Sequence, residues 1–246
     1  MPKVTLRFYE ELNDFLPGPM RKRSTEKAFL AGQSVKHLIE GLGVPHTEVE
    51  IILVNGRSVD LSYLLREGDR ISVYPMFEAL DVTPLLRLRD RPLRRPRFVA
   101  DAHLGKLARH LRLVGFDTLF FNDAGDHRLV DISVEEQRTL LTRDRALLMH
   151  RAVTHGCYIH AIEPQRQLDE LIRRLDLAGQ IAPFTRCMVC NGGLQSVPKA
   201  RIDDRLPNRV SQNYNEFWCC GDCQRIYWKG SHYRQLCAFI RTLDRH

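Results

Sequence analysis

Two pairs of cysteines near the end of the chain have the spacing of metal ligands. Cys187 and Cys190 form one Cys-x-x-Cys pair and Cys220 and Cys223 form the other, with 29 residues between the pairs. Four thiolates complete the tetrahedral coordination that structural zinc prefers and leave no open position for catalysis. The pattern therefore predicts a structural Zn²⁺ site. Cys219 is the alternative to Cys220, which we prefer because it gives the two-residue spacing to Cys223.

A second group of residues with potential chemistry is acidic. Asp101, Asp144 and the neighbours Asp123 and Asp126 each follow a segment that reads as a strand. The C-terminal ends of parallel strands meet at one edge of a sheet, so these carboxylates are expected to converge. Carboxylates bind Mg²⁺ or Mn²⁺, and such ions activate water and clamp a phosphodiester. The competing interpretation makes each aspartate an N-cap or turn residue.

Basic residues near the same edge suggest a phosphate contact. Lys106 and Arg143 can hold a phosphate or stabilise negative charge in a transition state. The alternatives are a solvated helix face for Lys106 and an ion pair with a neighbouring acid for Arg143. His103 stays unassigned because a lone histidine is more often structural.

The elements that must position these residues alternate between strands and helices. The apolar periodicity predicts strands at 98–100, 118–121, 139–141 and 157–161, and helices at 104–114, 126–138, 145–151 and 168–175. Repeated β-α order predicts an α/β domain with a parallel sheet covered on both faces.

The N-terminal part has a different pattern. Strands are predicted at 4–9, 27–30, 49–54 and 70–74, with one helix that starts at Ser34. This β-β-α-β-β order resembles the ubiquitin-like β-grasp fold, especially the small sulfur carriers. Those carriers end in a free Gly-Gly, whereas this chain continues through Pro75-Met76-Phe77, so the resemblance does not imply sulfur transfer.

A basic, proline-rich segment separates the two parts and defines a linker at 81–96. Its side chains either grip nucleic acid or form a solvated spacer, and we weigh the two equally. The segment alternates arginines with prolines, and these residues are Pro84, Arg87, Arg89, Arg91, Pro92, Arg94, Arg95 and Pro96; Arg97 follows it.

Composition agrees with a nucleic-acid partner. The 246 residues carry a net charge of +7, which favours an anionic ligand. No run of 18 apolar residues is present, so no membrane association is predicted. Seven cysteines, four of them at metal spacing, fit a reducing cytoplasm better than a disulfide scaffold.

Several motifs together resemble the Mut-seven C-terminal RNase family of PIN-like nucleases with a zinc ribbon. They are the segment from Phe98 to Asp117, Leu140-Leu-Thr-Arg-Asp-Arg-Ala-Leu-Leu148, the two cysteine pairs, and Tyr227-Trp-Lys-Gly-Ser-His-Tyr233. The resemblance covers residues 97–240, and bacterial members often carry an N-terminal ubiquitin-like domain, which agrees with residues 1–80.

The resemblance implies metal-dependent RNA cleavage. The family's acidic positions correspond to three aspartates: Asp101, Asp126 and Asp144. Asp123 and Asp131 are alternatives for the place of Asp126, and Asp123 or Asp117 is expected to complete a set of four.

The sequence thus predicts four parts: a ubiquitin-like α+β domain at 1–80, the linker at 81–96, a PIN-like α/β nuclease domain at 97–180, and a zinc ribbon with its tail at 181–246. The expected activity is Mg²⁺- or Mn²⁺-dependent hydrolysis of RNA, with Asp101, Asp123, Asp126, Asp144 and Arg143 at the site. The substrate class includes tRNA and other structured RNAs. The alternative is a non-catalytic RNA- or ribosome-binding adaptor.

The two remaining domains have expected roles of their own. The ubiquitin-like domain offers a docking surface for a protein partner or an intramolecular cover. The ribbon presents aromatic and basic side chains to RNA bases and phosphates: Tyr227, Trp228, Lys229, His232, Tyr233 and Arg234. Packing of Tyr227 and Trp228 inside the ribbon is the competing interpretation.

Overall fold

The protein is described by a computed structural model that covers residues 1–75 and 96–243. The linker predicted at 81–96 therefore lies outside the described residues, apart from residue 96. The chain divides into two compact units, residues 1–103 with 123–159 and residues 104–122 with 160–246.

Twelve strands occur in the described residues. They are β1 Lys3–Phe8, β2 Thr25–Ala28, β3 Ile51–Val54, β4 Arg57–Val59, β5 Arg70–Tyr74, β6 Arg97–Ala100, β7 Asp117–Phe120, β8 Thr139–Thr142, β9 Gly156–Tyr158, β10 Leu194–Val197, β11 Phe217–Cys220 and β12 Ile226–Trp228.

Seven α-helices accompany these strands in the same described residues. They are α1 Val35–Gly41, α2 Gly105–Leu113, α3 Asp126–Glu135, α4 Arg145–Leu148, α5 Pro164–Arg174, α6 Asn208–Asn213 and α7 Ser231–Leu243. Short 3₁₀ helices connect several of these elements, among them Glu10–Phe15 and His46–Glu48.

The N-terminal sheet has the order β2-β1-β5-β3-β4, with β1 parallel to β5 and the other pairs antiparallel. Ser34 is the N-cap of α1, and its side chain accepts from the His37 N–H, as the sequence predicted. The Asn55-Gly56 turn has two positive φ angles, 51° and 79°, which suit a tight hairpin. The predicted β-grasp order is confirmed, with β4 as an additional short strand.

Three strands of a second sheet belong to the first unit, where they are parallel and follow the order β6-β8-β9. Phe98, Val99 and Ala100 of β6 and Leu140 and Leu141 of β8 are all fully buried. Such continuous apolar strands are typical of a parallel sheet covered on both faces. Helix α3 packs against β6 and β8.

The second unit combines α2, β7 and α5 with the cysteine-rich segment. Helix α2 packs against both β7 and α5. A Cβ on Gly105 would lie 2.7 Å from the Phe120 ring, so glycine permits the close approach of α2 to β7. The antiparallel sheet β10-β11-β12 follows, with Ile202, Leu206 and Phe217 as its small core.

The predicted strand at 157–161 is shorter than expected. The N–H groups of His160 and Ala161 donate to the Glu170 carboxylate at 3.0 and 2.8 Å, which diverts them from a sheet. In the described residues no helix is long and apolar enough to cross a bilayer.

Candidate functional site

The register of β6 and β8 sets two polar residues opposite each other at the ends of apolar strands. Ala100 pairs with Leu141, and the Asp101 N–H donates to the Leu141 carbonyl at 3.0 Å. The next residues, Asp101 and Thr142, are therefore neighbours at the carboxyl edge of the sheet.

Thr142 joins the two aspartates that follow these strands. Its Oγ1 donates to Asp101 Oδ2 at 2.7 Å and accepts from the Asp144 N–H at 3.0 Å. Thr142 is fully buried, so its hydroxyl depends on these partners. Thr142 was not among the site residues that the sequence predicted. The available signal was a hydroxyl two positions before Asp144 in an otherwise apolar strand.

The two carboxylates have different local roles. Asp144 is the N-cap of α4, and its Oδ1 accepts from the Ala146 N–H at 2.7 Å. The N-cap position of α2 is Leu104, with no side-chain cap hydrogen bond, so Asp101 does not cap that helix. Asp101 and Asp144 each use one oxygen for these bonds, which leaves the second oxygen of each as a potential metal ligand.

Asp126 is the first residue of α3, after the N-cap Gly125, and its side chain is exposed. Because α3 leads directly into β8, its N-terminus lies towards the carboxyl edge of the parallel sheet. Asp123 is exposed in the turn before α3. Asp131 lies five residues further along the helix, about 7.5 Å along its axis from Asp126.

The aspartates share an edge without forming a tight cluster. In the part of the chain that the structure describes, the carboxylate oxygens of Asp101, Asp126 and Asp144 do not lie within 4.8 Å of one another as a group. Arg143 is exposed beside Asp144.

Two other predicted residues belong to the second unit. Lys106 is exposed on α2. Asp117 begins β7, the opposite end of the strand from its carboxyl terminus. Asp117 is held there by Asn191 Nδ2 at 2.8 Å and Arg186 Nη2 at 3.5 Å. These contacts give Asp117 a structural role.

The four predicted cysteine ligands do come together. The sulfurs of Cys187, Cys190, Cys220 and Cys223 all lie within 4.8 Å of one another and can hold a metal ion. The shortest pairs are Cys190–Cys220 at 3.3 Å and Cys187–Cys223 at 3.6 Å. Cys219 lies outside this group, and its sulfur faces the Gln224 side chain at 3.6 Å.

Both cysteine pairs have the same backbone turn. The Asn191 N–H donates to the Cys187 carbonyl at 2.9 Å, and the Gln224 N–H donates to the Cys220 carbonyl at 3.1 Å. Asn191 and Gln224 have positive φ angles of 77° and 57°. A Cβ on Gly192 would lie 2.4 Å from the Asp222 carboxylate and 2.8 Å from Cys220 Sγ. The turn therefore requires glycine at 192, and the donor set fits a tetrahedral metal.

Burial and hydrogen bonds act on the individual thiols in opposite directions. Burial raises the pKa of the Cys190 thiol to about 12. At Cys187 burial also acts to raise the pKa, but the Tyr227 hydroxyl and the N–H groups of Cys190 and Val189 stabilise the thiolate and lower the pKa to about 6. The Tyr227 hydroxyl lies 3.0 Å from Cys187 Sγ. Negative charge is thus favoured on the Cys187 sulfur and disfavoured on that of Cys190.

Arg112 of α2 connects the first cysteine pair to the rest of the unit. Arg112 is 5% exposed, and its guanidinium donates to the carbonyls of Thr118 at 2.8 Å, Val189 at 2.7 Å and Met188 at 3.3 Å. Burial lowers the pKa of Arg112, and the charges of the nearby cysteines act to raise it. A buried cation is therefore fixed beside sulfurs that become anionic when a metal binds.

The aromatic residues of the ribbon are only partly available to a ligand. Tyr227 contacts Cys187, and Trp228 packs against the small ribbon core, as the competing interpretation held. Lys229 pairs with Glu216 at 2.7 Å and lies over the Trp218 ring at 5.2 Å. His232 and Arg234 are exposed on α7.

Comparison with known proteins gives matches for both parts of the chain. Residues 96–240 match the family model described as Mut7-C RNAse domain, and residues 1–81 match the model described as Mut7-C ubiquitin. No curated protein matches the chain.

Two solved structures are similar to a part of it. A putative molybdopterin converting factor subunit 1 from Pyrococcus furiosus is 22% identical, with 31% of this chain and 100% of that chain covered and a TM-score of 0.25. The small archaeal modifier protein 1 of H. volcanii is 14% identical, with the same coverages and a TM-score of 0.26.

Proposed function

Because this chain belongs to the Mut7-C RNAse domain family, with a Mut7-C ubiquitin domain at its N-terminus, we propose that it is a ribonuclease that depends on Mg²⁺ or Mn²⁺. The observation that carries the proposal is the hydrogen-bonded series Asp101–Thr142–Asp144 at the carboxyl edge of a parallel sheet. That edge is where open α/β sheets bind their ligands.

Asp101 and Asp144 would hold the divalent ion, with Asp126 or Asp123 from the start of α3 as a further ligand. The ion supplies Lewis acidity and charge stabilisation for hydrolysis of a phosphodiester. Thr142 orients the Asp101 carboxylate, and the Ala146 N–H orients that of Asp144. Arg143 offers an exposed cation for a phosphate next to Asp144.

For the ribbon we propose a structural Zn²⁺ at Cys187, Cys190, Cys220 and Cys223. Support comes from the four neighbouring sulfurs and from the glycine that the first turn requires. Exposed basic side chains in each unit would contact RNA separately: Arg143 in the first unit, and His232 and Arg234 in the second. Four of the seven cysteines are placed as metal ligands, which supports a reducing compartment such as the cytoplasm.

A second candidate function is an RNA-binding adaptor without catalysis. It is favoured by the spacing of the aspartates, since their oxygens do not gather within 4.8 Å of one another in the described residues.

The deciding experiment is cleavage of labelled single-stranded RNA, then of a structured RNA such as tRNA, with Mn²⁺ added to or omitted from zinc-loaded protein. Mn²⁺ is left out of the control reaction instead of being removed with EDTA, because EDTA would also withdraw the ribbon metal. The variants Asp101→Asn and Asp144→Asn preserve the local hydrogen bonds, since an amide oxygen still accepts from Thr142 or from Ala146. Asp14→Asn, an exposed carboxylate in the ubiquitin-like domain, is the control.

We expect both site variants to lose cleavage and keep RNA binding, with Asp14→Asn unchanged. Cleavage that persists in Asp101→Asn would contradict the proposal. Native protein that binds several RNAs and cleaves none would favour the adaptor.

A further inference from the structure

The outer strand of the parallel sheet has its free edge covered from within the chain. Strand β9 is the last strand in its sheet, and the Ile159 N–H that follows it donates to Thr142 at 2.9 Å. Since successive strand residues point their N–H groups to opposite sides, the Tyr158 N–H points away from β8. The carboxylate of Glu48 accepts a hydrogen bond from it. Glu48 belongs to the ubiquitin-like domain and is 6% exposed.

The residues beside Glu48 extend this contact along β9. His46 Nε2 lies 2.9 Å from the Val153 carbonyl, and His46 Nδ1 lies 2.7 Å from the Glu40 carboxylate. A Cβ on Gly156 would lie 3.2 Å from Thr47 Oγ1, so the two segments approach closely. His46 and Thr47 are buried. The short turn His46–Glu48 thus packs on β9, within one compact unit.

A third contact reaches the residue next to Asp144. The Arg145 guanidinium lies 5.1 Å from the Phe15 ring and 5.5 Å from the Tyr158 ring. Its Nη1 donates to the Phe15 carbonyl at 3.4 Å. The two rings meet edge to face, with centroids 5.4 Å apart. Arg145 is the first residue of α4, the helix that Asp144 caps.

We propose that the ubiquitin-like domain is a fixed positioning element of the nuclease. Its surface around Phe15 and Glu48 covers the edge of β9 and holds Arg145 in place. Arg145 then holds the turn that carries Asp144. This surface is therefore engaged inside the chain and is not the one that binds another protein. The statement about Asp144 rests on the proposed nuclease function, whereas the contact itself does not.

Loss of any part of this contact carries a cost in free energy. An exposed strand edge pairs with other chains unless it is covered. A buried carboxylate that loses its N–H partner keeps the full desolvation cost. A cation that lies within about 5–6 Å of two aromatic rings at once has a preferred position that a flexible surface arginine lacks.

Hydrogen exchange on the full chain tests the contact without reference to catalysis. We expect Glu48→Ala to raise the exchange rate of the Tyr158 amide about 10-fold or more, since the amide loses a buried, charged acceptor. Glu48→Gln keeps an accepting oxygen and should restore much of the protection. Glu26→Ala removes an exposed carboxylate of the same domain, which pairs with Lys3, and should change nothing. The Leu140 amide, which bonds His155, is the internal reference.

Equal Tyr158 exchange in the native chain and in Glu48→Ala would overturn the proposal. The proposal would also be overturned if the exchange rates of the Tyr158 and Leu140 amides rose equally in both Glu48 variants. An equal rise would indicate a general loosening of the sheet and not the loss of one acceptor.

A double-mutant cycle tests the positioning role, with Mn²⁺ affinity as the readout and RNA cleavage as the second measurement. Arg145→Met and Phe15→Leu should each weaken Mn²⁺ binding by about 10-fold, the usual range for residues that orient a ligand. The double variant should bind Mn²⁺ no more weakly than either single variant, since both substitutions remove the same contact between Phe15 and Arg145. The positioning role would be refuted if the losses of Mn²⁺ affinity in the two single variants multiplied in the double variant. An unchanged Mn²⁺ affinity in Arg145→Met would refute it as well.

The two proposals can fail separately. If the exchange result holds but the native chain cleaves no RNA, the contact stands and the nuclease function fails. If the native chain cleaves RNA and Arg145→Met keeps its Mn²⁺ affinity and its cleavage rate, only the positioning role fails.

Discussion

Thr142 Oγ1 donates to Asp101 Oδ2 at 2.7 Å, and this bond links two neighbouring strands at the edge where the acids lie. The same oxygen accepts from the Asp144 N–H, so one buried hydroxyl orients both aspartates that follow strands. Its position comes from the register of β6 against β8, which no local sequence pattern specifies.

The first prediction concerns this hydroxyl. Thr142→Val keeps the shape of the side chain but leaves Asp101 Oδ2 and the Asp144 N–H without their partner. Loss of a residue that orients a metal ligand typically costs 10- to 100-fold, so we expect Mn²⁺ affinity and cleavage rate to fall by about that factor. Isothermal titration with Mn²⁺ and single-turnover cleavage measure the two effects.

Thr142→Ser is the matched control because it keeps the hydroxyl and should retain most of both properties. If Thr142→Val binds Mn²⁺ as tightly as the native chain, Thr142 has only a packing role.

The second prediction uses two adjacent glycines of the first cysteine turn. Gly192→Ala would bring a Cβ within 2.4 Å of Asp222 and 2.8 Å of Cys220 Sγ, whereas a Cβ on Gly193 meets nothing within 4 Å. We expect Gly192→Ala to weaken metal binding and lower the melting temperature, and Gly193→Ala to be close to native. Competition with a chromophoric zinc chelator measures the affinity. Equal effects of both substitutions would contradict the described turn.

The third prediction concerns protons released when a metal binds. All four thiols must be ionised as ligands. The pKa of Cys187 is lowered to about 6 and that of Cys190 is raised to about 12. At pH 8 Cys187 has therefore lost its proton before the metal arrives, and Cys190 has not.

Metal loading at pH 8 should thus release fewer than four protons, and affinity should fall as pH falls. Calorimetry in buffers of different ionisation enthalpy counts the protons. The Tyr227→Phe variant removes the hydroxyl that stabilises the Cys187 thiolate and should release a larger number. A count that is the same in both proteins would contradict this assignment.

The sequence predicted well what depends on local spacing. The cysteine pairs were found because a two-residue separation is itself the metal signature, and the sulfurs of Cys187 and Cys220 do meet across 33 positions of chain. The strands before Asp101 and Asp144 were found because a buried parallel strand is a continuous apolar run.

The features that were missed depend on contacts between distant segments. Glu48 looks like an ordinary surface acid, and its partner Tyr158 lies 110 residues away. Arg145 looks like one more exposed cation, yet its guanidinium packs against two rings from different domains. Whether a charged residue is buried depends on which distant segments pack against it. The residues next to Glu48 and Arg145 in the sequence therefore do not indicate either role.

Arg112 gives the last prediction, and Arg109 on the same helix is its matched control. Arg112 is buried and donates to the carbonyls of Thr118 and Val189, whereas Arg109 is exposed. Arg112→Met fills a similar volume but removes the donor from three carbonyls, of which that of Thr118 is buried and costs about 1–3 kcal/mol if it is left without a partner. It also removes the cation beside Cys187 and Cys190, whose sulfurs carry negative charge when a metal is bound.

We therefore expect Arg112→Met to lower both the melting temperature and the zinc affinity, and Arg109→Met to change neither. Arg112→Lys restores the charge without the guanidinium geometry, so it should recover zinc affinity more than stability. Differential scanning calorimetry of zinc-loaded protein and chelator competition separate the two effects. Zinc affinity that is native in Arg112→Met, alongside a lowered melting temperature, would limit Arg112 to holding the carbonyls and exclude a role as counter-charge.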